Sequence, residues 1–259
     1  GRSTLLNILT SAAFVIEPLV AHFKRAVLAD DIVGTDDTHV TLILPKDIPK
    51  PDPGDPKYER AYDPKYERTY EVLSKAIAEK RRSVTARMWA YRGITVPLNV
   101  FDFTVSWHRD GPELMLADFE GIVQADCYAG YEGIALSSEG RIRRASCVAH
   151  ARRKVFDAKE SYPLESAVVL AKFQQLYDIE DQAKTLSVED RLALRQSAAT
   201  PVWAELEAWL DSESATRTLP KSQLGKALGY LRNHWKPLKT YLTDGRIPID
   251  NNNVEQLMK

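Results

Sequence analysis

Apolar residues near the start of the chain recur at intervals of three and four. Leu5, Leu9 and Ile16 follow this spacing within residues 3–28, which is typical of an amphipathic helix. Pro18 falls inside the same stretch, and a proline in a helix interior removes a backbone hydrogen bond. We therefore expect an N-terminal helix that is kinked or split near Pro18.

A different pattern begins at residue 32. β-branched residues with partial alternation fill positions 32–44 and predict a strand or a hairpin, which Pro45 ends. Further strands are predicted at residues 85–91, 98–107, 122–125 and 145–149. A short helix is predicted at residues 112–119, ahead of the strand at 122–125.

Helical periodicity dominates the chain from about Arg152 to Leu242. Helices are predicted at residues 155–186, 187–199, 201–210 and 222–242, with Ser187 as a capping residue and Pro201 in a first turn. Trp203 and Trp235 fall at helical spacing and are expected in the core of this region. Several strands followed by one long helical stretch do not form a repeating βα pattern. The sequence therefore predicts an α/β fold, in which a mixed sheet flanked by helices is interrupted by an all-helical insertion.

Prolines are concentrated between these regions. Residues 45–64 hold six of the fourteen prolines, and DPKYERAY at 55–62 is followed by DPKYERTY at 63–70. A tandem copy this short cannot form a solenoid. We interpret the segment as an exposed excursion that takes no part in chemistry.

Composition narrows the class of protein. The chain has 259 residues, 44% hydrophobic and 27% charged, with a formal net charge of -1 and two cysteines. These values exclude intrinsic disorder, a collagen repeat and a disulfide-stapled scaffold. The uncharged run from Ser3 to Ile16 is shorter than the roughly 20 apolar residues of a membrane-spanning helix, so a cytoplasmic location is expected. With so small a net charge, nucleic-acid binding would depend on local charge.

Three acidic residues stand at positions where carboxylates suit metal binding. Asp36 lies inside the first predicted strand, Asp126 ends the apolar strand at 122–125, and Glu255 follows a helix-start sequence at 250–253. If they converge, they could hold two Mg²⁺ ions for attack on a phosphodiester. Because the chain has 36 acidic residues, three of them scattered along the sequence are weak evidence for a metal site without further support.

A basic segment follows, from Arg141 to Lys154, with six basic residues and no acid. Such a block is usually a solvated face, but beside a carboxylate site it would track phosphates. Within it, Cys147 and His150 have the spacing of half a metal site. Cys127 and the remaining histidines offer no second pair, so a structural zinc ion is not expected.

Five stretches of the chain resemble a known family. They are GTDDTHV at 34–40, TARMWAYRG at 85–93, GIVQADCYAGY at 121–131, ASCVAHARRKVFDA at 145–158 and DGRIPIDNNNVE at 244–255. In this order they resemble the bacterial insertion-sequence transposases of the IS66 type, which belong to the Asp-Asp-Glu class and have a ribonuclease-H-like catalytic core. The resemblance covers nearly the whole chain.

The resemblance implies roles for individual residues. Asp36, Asp126 and Glu255 match the catalytic carboxylates that hold two Mg²⁺ or Mn²⁺ ions, and Cys147 with His150 matches a motif that supports the active site or positions DNA. Candidate phosphate contacts are Arg143, Arg144, Arg152, Arg153 and Lys154. The implied partners are double-stranded DNA at transposon ends and target, a second copy of the chain in a synaptic complex and accessory proteins of the same element, but no membrane.

The resemblance also implies a domain division. The expected parts are an N-terminal helical segment at 1–30, a first part of the core at 31–158 with a variable excursion at 45–84, a helical insertion at 159–244, and the start of a truncated glutamate-bearing helix at 245–259. Two other functions stay open on the residues. One is a ribonuclease-H-like nuclease or resolvase without strand transfer, and the other is a catalytically silent DNA-binding module.

Overall fold

The computed structural model describes residues 2–46, 48 and 64–258. The secondary-structure elements within these residues, in chain order, are α1 (Arg2–Leu28), β1 (Ile32–Ile43), α2 (Pro64–Ala78), β2 (Ser83–Gly93), β3 (Asn99–Thr104), α3 (Asp110–Met115), β4 (Gly121–Ala125), α4 (Ala129–Ser137), β5 (Ile142–Ser146), α5 (Val148–Asp157), α6 (Pro163–Ala183), α7 (Val188–Leu194), a π-helical turn (Arg195–Ala199), α8 (Thr200–Leu210), α9 (Glu213–Thr216), α10 (Gln223–Asn233), α11 (Trp235–Leu238), a 3₁₀ turn (Thr240–Thr243), α12 (Asn252–Glu255) and a final 3₁₀ turn (Gln256–Met258).

The five strands form one mixed sheet in the order β3-β2-β1-β4-β5. The predicted α/β fold, a mixed sheet with flanking helices, is confirmed. Helices and turns fill the chain between β5 and α12, as expected for an all-helical insertion. None of the described helices has the length and apolar character that crossing a membrane requires.

The chain divides into two compact units. Residues 1–121, 129–142 and 254–259 form the first unit, and residues 122–128 and 143–253 form the second.

In the first unit, β1, β2 and β3 form an antiparallel meander. Val33 of β1 pairs with Gly93 of β2, and the pairing continues along both strands to Ile43 and Ser83. Residues Arg87–Arg92 of β2 pair in turn with β3. The predicted strand at 32–44 is therefore one long strand and not a hairpin.

The start of β1 is fixed by Asp30. This carboxylate is 5% exposed and accepts hydrogen bonds from the backbone N–H groups of Ile32 (3.1 Å), Thr95 (2.7 Å) and Val96 (2.9 Å). Burial alone would raise the pKa of Asp30, but these donors favour the charged carboxylate and lower the pKa below its usual value. The bonds join the start of β1 to the turn that follows β2.

Part of the predicted proline-rich excursion is helical. Residues 47 and 49–63, which include the first tandem copy, lie outside the described residues. The second copy, predicted to be exposed loop, instead begins α2 at Pro64. This helix buries Leu73 and Ala76 against Val84 and Val105. The apolar residues that follow the repeat determine helix α2, but the high proline content of the segment hid their helical spacing in the sequence.

Several predicted boundaries differ from those in the structure. The helix α1 continues through Pro18 and is not split. The strand predicted at 145–149 lies earlier, at Ile142–Ser146, and Ala149 belongs to α5. The helix predicted at 155–186 is interrupted before Pro163, which starts α6. No break occurs ahead of Pro201, since one continuous helix runs from Val188 to Leu210.

Aromatic residues form the core of the helical insertion in the second unit, as predicted. Trp203 is 1% exposed, and its ring lies edge-on to Phe173 (6.5 Å between centroids) and to Trp235 (5.0 Å). The indole N–H of Trp203 donates to the Tyr241 hydroxyl at 3.0 Å. These contacts join α6, α8, α11 and the 3₁₀ turn that follows.

The same region contains a buried ion pair. The Arg195 side chain is 1% exposed and donates to both carboxylate oxygens of Glu180, at 2.8 and 2.7 Å. Its remaining terminal nitrogen donates to the carbonyls of Tyr241 and Asp244, each at 3.1 Å. One guanidinium therefore holds α6, the π-helical turn and the segment that leaves the insertion.

Arg195→Met should destabilise the protein strongly, because Glu180 and two carbonyls lose their donor. Removing one partner of a buried pair costs about 3 to 5 kcal/mol of folding stability. Because the Glu180 side chain is 14% exposed, we expect a loss near the lower end of this range. Urea unfolding measures this change. Lys221→Ala, at an exposed residue of the same unit, is the control and should change stability by less than about 0.5 kcal/mol. Equal stability of the two variants would contradict the anchoring role.

Candidate active site

Two adjacent aspartates of β1 have different surroundings, because successive side chains of a strand point to opposite faces of the sheet. Asp37 shares its face with Thr35, whose hydroxyl lies 2.9 Å from the Tyr131 hydroxyl. The Asp37 carboxylate accepts hydrogen bonds from the Arg87 guanidinium at 2.9 Å and from the Trp107 indole at 3.2 Å. Its side chain is only 10% exposed. Asp37 is thus committed to a partly buried ion pair.

Asp36 points to the other face of β1, which it shares with Gly34. A Cβ atom on Gly34 would lie 2.7 Å from Cγ2 of Val254, so α12 contacts the strand closely at this glycine. Val254 directly precedes Glu255. Gly34 therefore allows the helix that bears Glu255 to pack on the face of β1 that bears Asp36. The assignment of Asp36 as the first candidate carboxylate stays a prediction.

Asp126 follows the last residue of β4, as the sequence predicts. Its Oδ1 accepts a hydrogen bond from the backbone N–H of Tyr128 at 3.0 Å, and its own carbonyl accepts one from the Arg144 guanidinium at 3.2 Å. The first bond holds the carboxylate over the turn that follows the strand. Arg144 is half-buried, and this bond ties it to the Asp126 backbone.

Cys147 and His150 lie beside the same strand end. The backbone N–H of Cys147 donates to the carbonyl of Ala125 at 3.0 Å, one residue before Asp126. Cys147 is the N-cap of α5, and His150 lies in the first turn of that helix. The Cys-x-x-His sequence therefore begins next to the end of β4, and its predicted role at the active site stays a prediction.

Both thiols are protonated at neutral pH in this environment. Burial raises the pKa of Cys147 to about 12, and burial also raises the pKa of Cys127. Neither cysteine is in a disulfide.

The segment that leads to α12 is held by residues whose role the sequence did not reveal. The Ile249 carbonyl accepts from the Val148 N–H at 3.1 Å, and the Gln124 amide donates to the Pro248 carbonyl. The Asp250 carboxylate accepts from the Tyr177 hydroxyl at 3.0 Å and from the Asn252 N–H at 3.2 Å. The second bond starts α12, so the predicted helix start is confirmed. Tyr177 lies 73 positions from Asp250, and no local pattern signals that pair.

The candidate phosphate contacts differ in exposure. Arg143, Arg152, Arg153 and Lys154 are exposed, whereas Arg144 is half-buried. The Lys154 ammonium lies 4.9 Å from the centroid of the Tyr230 ring. Four of the five basic side chains are thus available to a ligand in solution.

Comparison with known proteins identifies a family. Residues 67–259 match the model of the family described as "Transposase IS66 family". Two relatives in Sinorhizobium fredii (strain NBRC 101917 / NGR234) are named uncharacterized protein y4jD, 33% identical over 193 residues, and uncharacterized protein y4hP, 29% identical over 205 residues. The alignments cover 70% and 71% of this chain but 37% of each relative.

Gly34→Ala should separate α12 from β1, because the new methyl group would overlap Val254. An overpacked core contact costs about 1 to 3 kcal/mol, and the loss is measured by urea unfolding. Combining Gly34→Ala with Val254→Ala should recover part of it, which makes the two changes non-additive. Gly229→Ala is the matched control, since its Cβ would meet nothing within 4 Å, and it should be neutral or stabilising. Strict additivity of the pair would contradict the contact.

Proposed function

The chain belongs to the IS66 family of transposases, and on that premise we propose that it contains the catalytic region of an Asp-Asp-Glu enzyme. The proposed reaction is hydrolysis of a phosphodiester at a transposon end, followed by attack of the freed 3′-hydroxyl on target DNA. Family membership implies nuclease or transferase chemistry in general, and the specific reaction is the proposal. The chain spans 37% of the length of these two relatives, so the activity of a whole protein is part of the proposal too.

The surroundings of Asp36 are the observation that supports this function most. A catalytic carboxylate has to be fixed by the fold close to the other carboxylates that share its metal ion. Asp36 lies on the face of β1 against which Val254 packs, one residue before Glu255. Asp37 points to the opposite face, where it pairs with Arg87.

The donor set suits divalent ions that prefer oxygen. Asp36, Asp126 and Glu255 would supply carboxylate oxygens, the ligands that Mg²⁺ and Mn²⁺ favour. When bound, a pair of such ions lowers the pKa of a coordinated water and offsets charge on the attacking and leaving oxygens. The chain's own contribution is to hold these carboxylates on a strand, at a strand end and on a helix, where backbone hydrogen bonds limit their movement.

DNA is the proposed substrate, and the exposed basic residues are the proposed phosphate contacts. Arg143, Arg152, Arg153 and Lys154 lie on or next to α5, the helix that begins beside the strand end at Asp126. Contacts to phosphates are independent of base sequence and weaken as salt rises. A second copy of the chain would hold the other transposon end. The site of this chemistry in the cell would be the cytoplasm.

Asp36→Asn is expected to lower Mn²⁺ affinity at least about tenfold and to abolish cleavage of a transposon-end duplex. Asp37→Asn should leave Mn²⁺ affinity within about twofold and instead reduce stability by about 1 to 3 kcal/mol, because a charged hydrogen bond to Arg87 is lost. Isothermal titration calorimetry with Mn²⁺ and urea unfolding measure the two effects.

The reverse pattern, with metal binding lost in Asp37→Asn and kept in Asp36→Asn, would overturn the assignment of the first carboxylate. A strand-transfer assay on the same duplex tests the second half of the reaction. Joined products that require Asp36 are expected, whereas cleavage that never yields a joined product would show a nuclease without transferase activity.

A further inference from the structure

An open cleft in the second unit lies between α5, α6 and the residue that starts α12. Its volume is about 560 Å³, within the range of about 300 to 1,000 Å³ usual for ligand sites. Its lining includes Arg152, Arg153, Phe156, Gln174, Tyr177 and Asn252. No element of the proposed metal chemistry requires such a cleft.

The lining has the charge of an anion site. Both ionic side chains among the described lining residues are arginines, and both are exposed. The Tyr177 hydroxyl donates to the carboxylate of Asp250, which is not one of the residues that line the cleft. Arginine is well suited to phosphate because its planar fork donates two parallel hydrogen bonds.

Phe156 gives the cleft an aromatic wall. Phe156 is 43% exposed. The opposite side of α5 is buried through Val148, Ala151 and Val155. A single exposed phenylalanine is common on proteins, but this one lines a cleft next to two arginines. The Lys159 ammonium lies 3.7 Å from the ring centroid, which adds a further cation at the aromatic wall.

We infer that this cleft binds one unpaired nucleotide of the DNA substrate, with its phosphate at Arg152 and Arg153 and its base against Phe156. The inference rests on the proposed function and adds a substrate feature to it, namely single-stranded DNA. The faces of bases inside a duplex are covered by their neighbours, so an aromatic side chain stacks at least cost on an unpaired base.

The position of the cleft along the chain suits a strand leaving the candidate active site. The helix α5, which supplies four lining residues, begins directly after Cys147, whose N–H donates to the carbonyl of the residue before Asp126. On the other side, Asn252 stands three positions before Glu255. The Gln174 amide nitrogen donates to Asp178 at 2.7 Å, so we assign the Gln174 amide oxygen and the Asn252 amide to the edge of a bound base.

The test is fluorescence anisotropy with a labelled 12-nucleotide single strand, the same strand with abasic sites, and a duplex. Because one stacked base contributes about 1 to 3 kcal/mol, Phe156→Ala should weaken binding of the intact single strand about 5- to 160-fold. The affinities of the Phe156→Ala variant for the abasic strand and for the duplex should stay within about twofold of those of the wild-type protein. Phe156→Trp should restore single-strand binding, and Leu164→Ala, at an exposed apolar residue of α6, should leave it unchanged.

Arg152→Ala with Arg153→Ala should weaken both the intact and the abasic strand. Wild-type affinity of folded Phe156→Ala for the intact strand would overturn the inference, as would an equal loss for single strand and duplex or a wild-type protein that binds no single strand. Failure of the proposed function has a different signature, which is single-strand binding sensitive to Phe156 without any cleavage that depends on a divalent ion.

Discussion

The alternation of side chains along β1 is the constraint on which the candidate active site depends. It separates Asp36 from Asp37 by directing them to opposite faces of one strand. Arg87 and Trp107 hold Asp37, and Gly34 leaves room for Val254 on the face of Asp36. If the register of β1 slipped by one residue, Arg87 would face Asp36 instead of Asp37. The helix α12 would then contact a side chain where it now contacts Gly34.

The helical insertion has a structural role in the second unit besides its own core. Arg195 joins Glu180 to the carbonyls of Tyr241 and Asp244, and Tyr177 donates to Asp250. These bonds fix both ends of the segment that returns from the insertion to the DNNNVE sequence. The insertion therefore positions the start of α12, and it also supplies one wall of the cleft that contains Phe156.

The sequence was sufficient to predict features that arise from local patterns. Asp36 within a strand, Asp126 at a strand end and Ser187 as a helix cap all follow from periodicity or capping, and the structure has each of them. Features that depend on distant residues were not predictable. The ion pair of Asp37 spans 50 positions and the Tyr177–Asp250 bond spans 73. The strand β5 lies earlier than predicted because Cys147 and Val148, which are as apolar as strand residues, start a helix instead.

The location of bound metal in a crystal soaked with Mn²⁺ tests the central claim most directly. The account predicts anomalous peaks coordinated by the carboxylates of Asp36 and Asp126, with Glu255 completing the site, and no peak at Asp37. Peaks held by Asp37, or a structure in which Asp36 and Asp126 lie too far apart to share an ion, would contradict the assignment of the catalytic carboxylates.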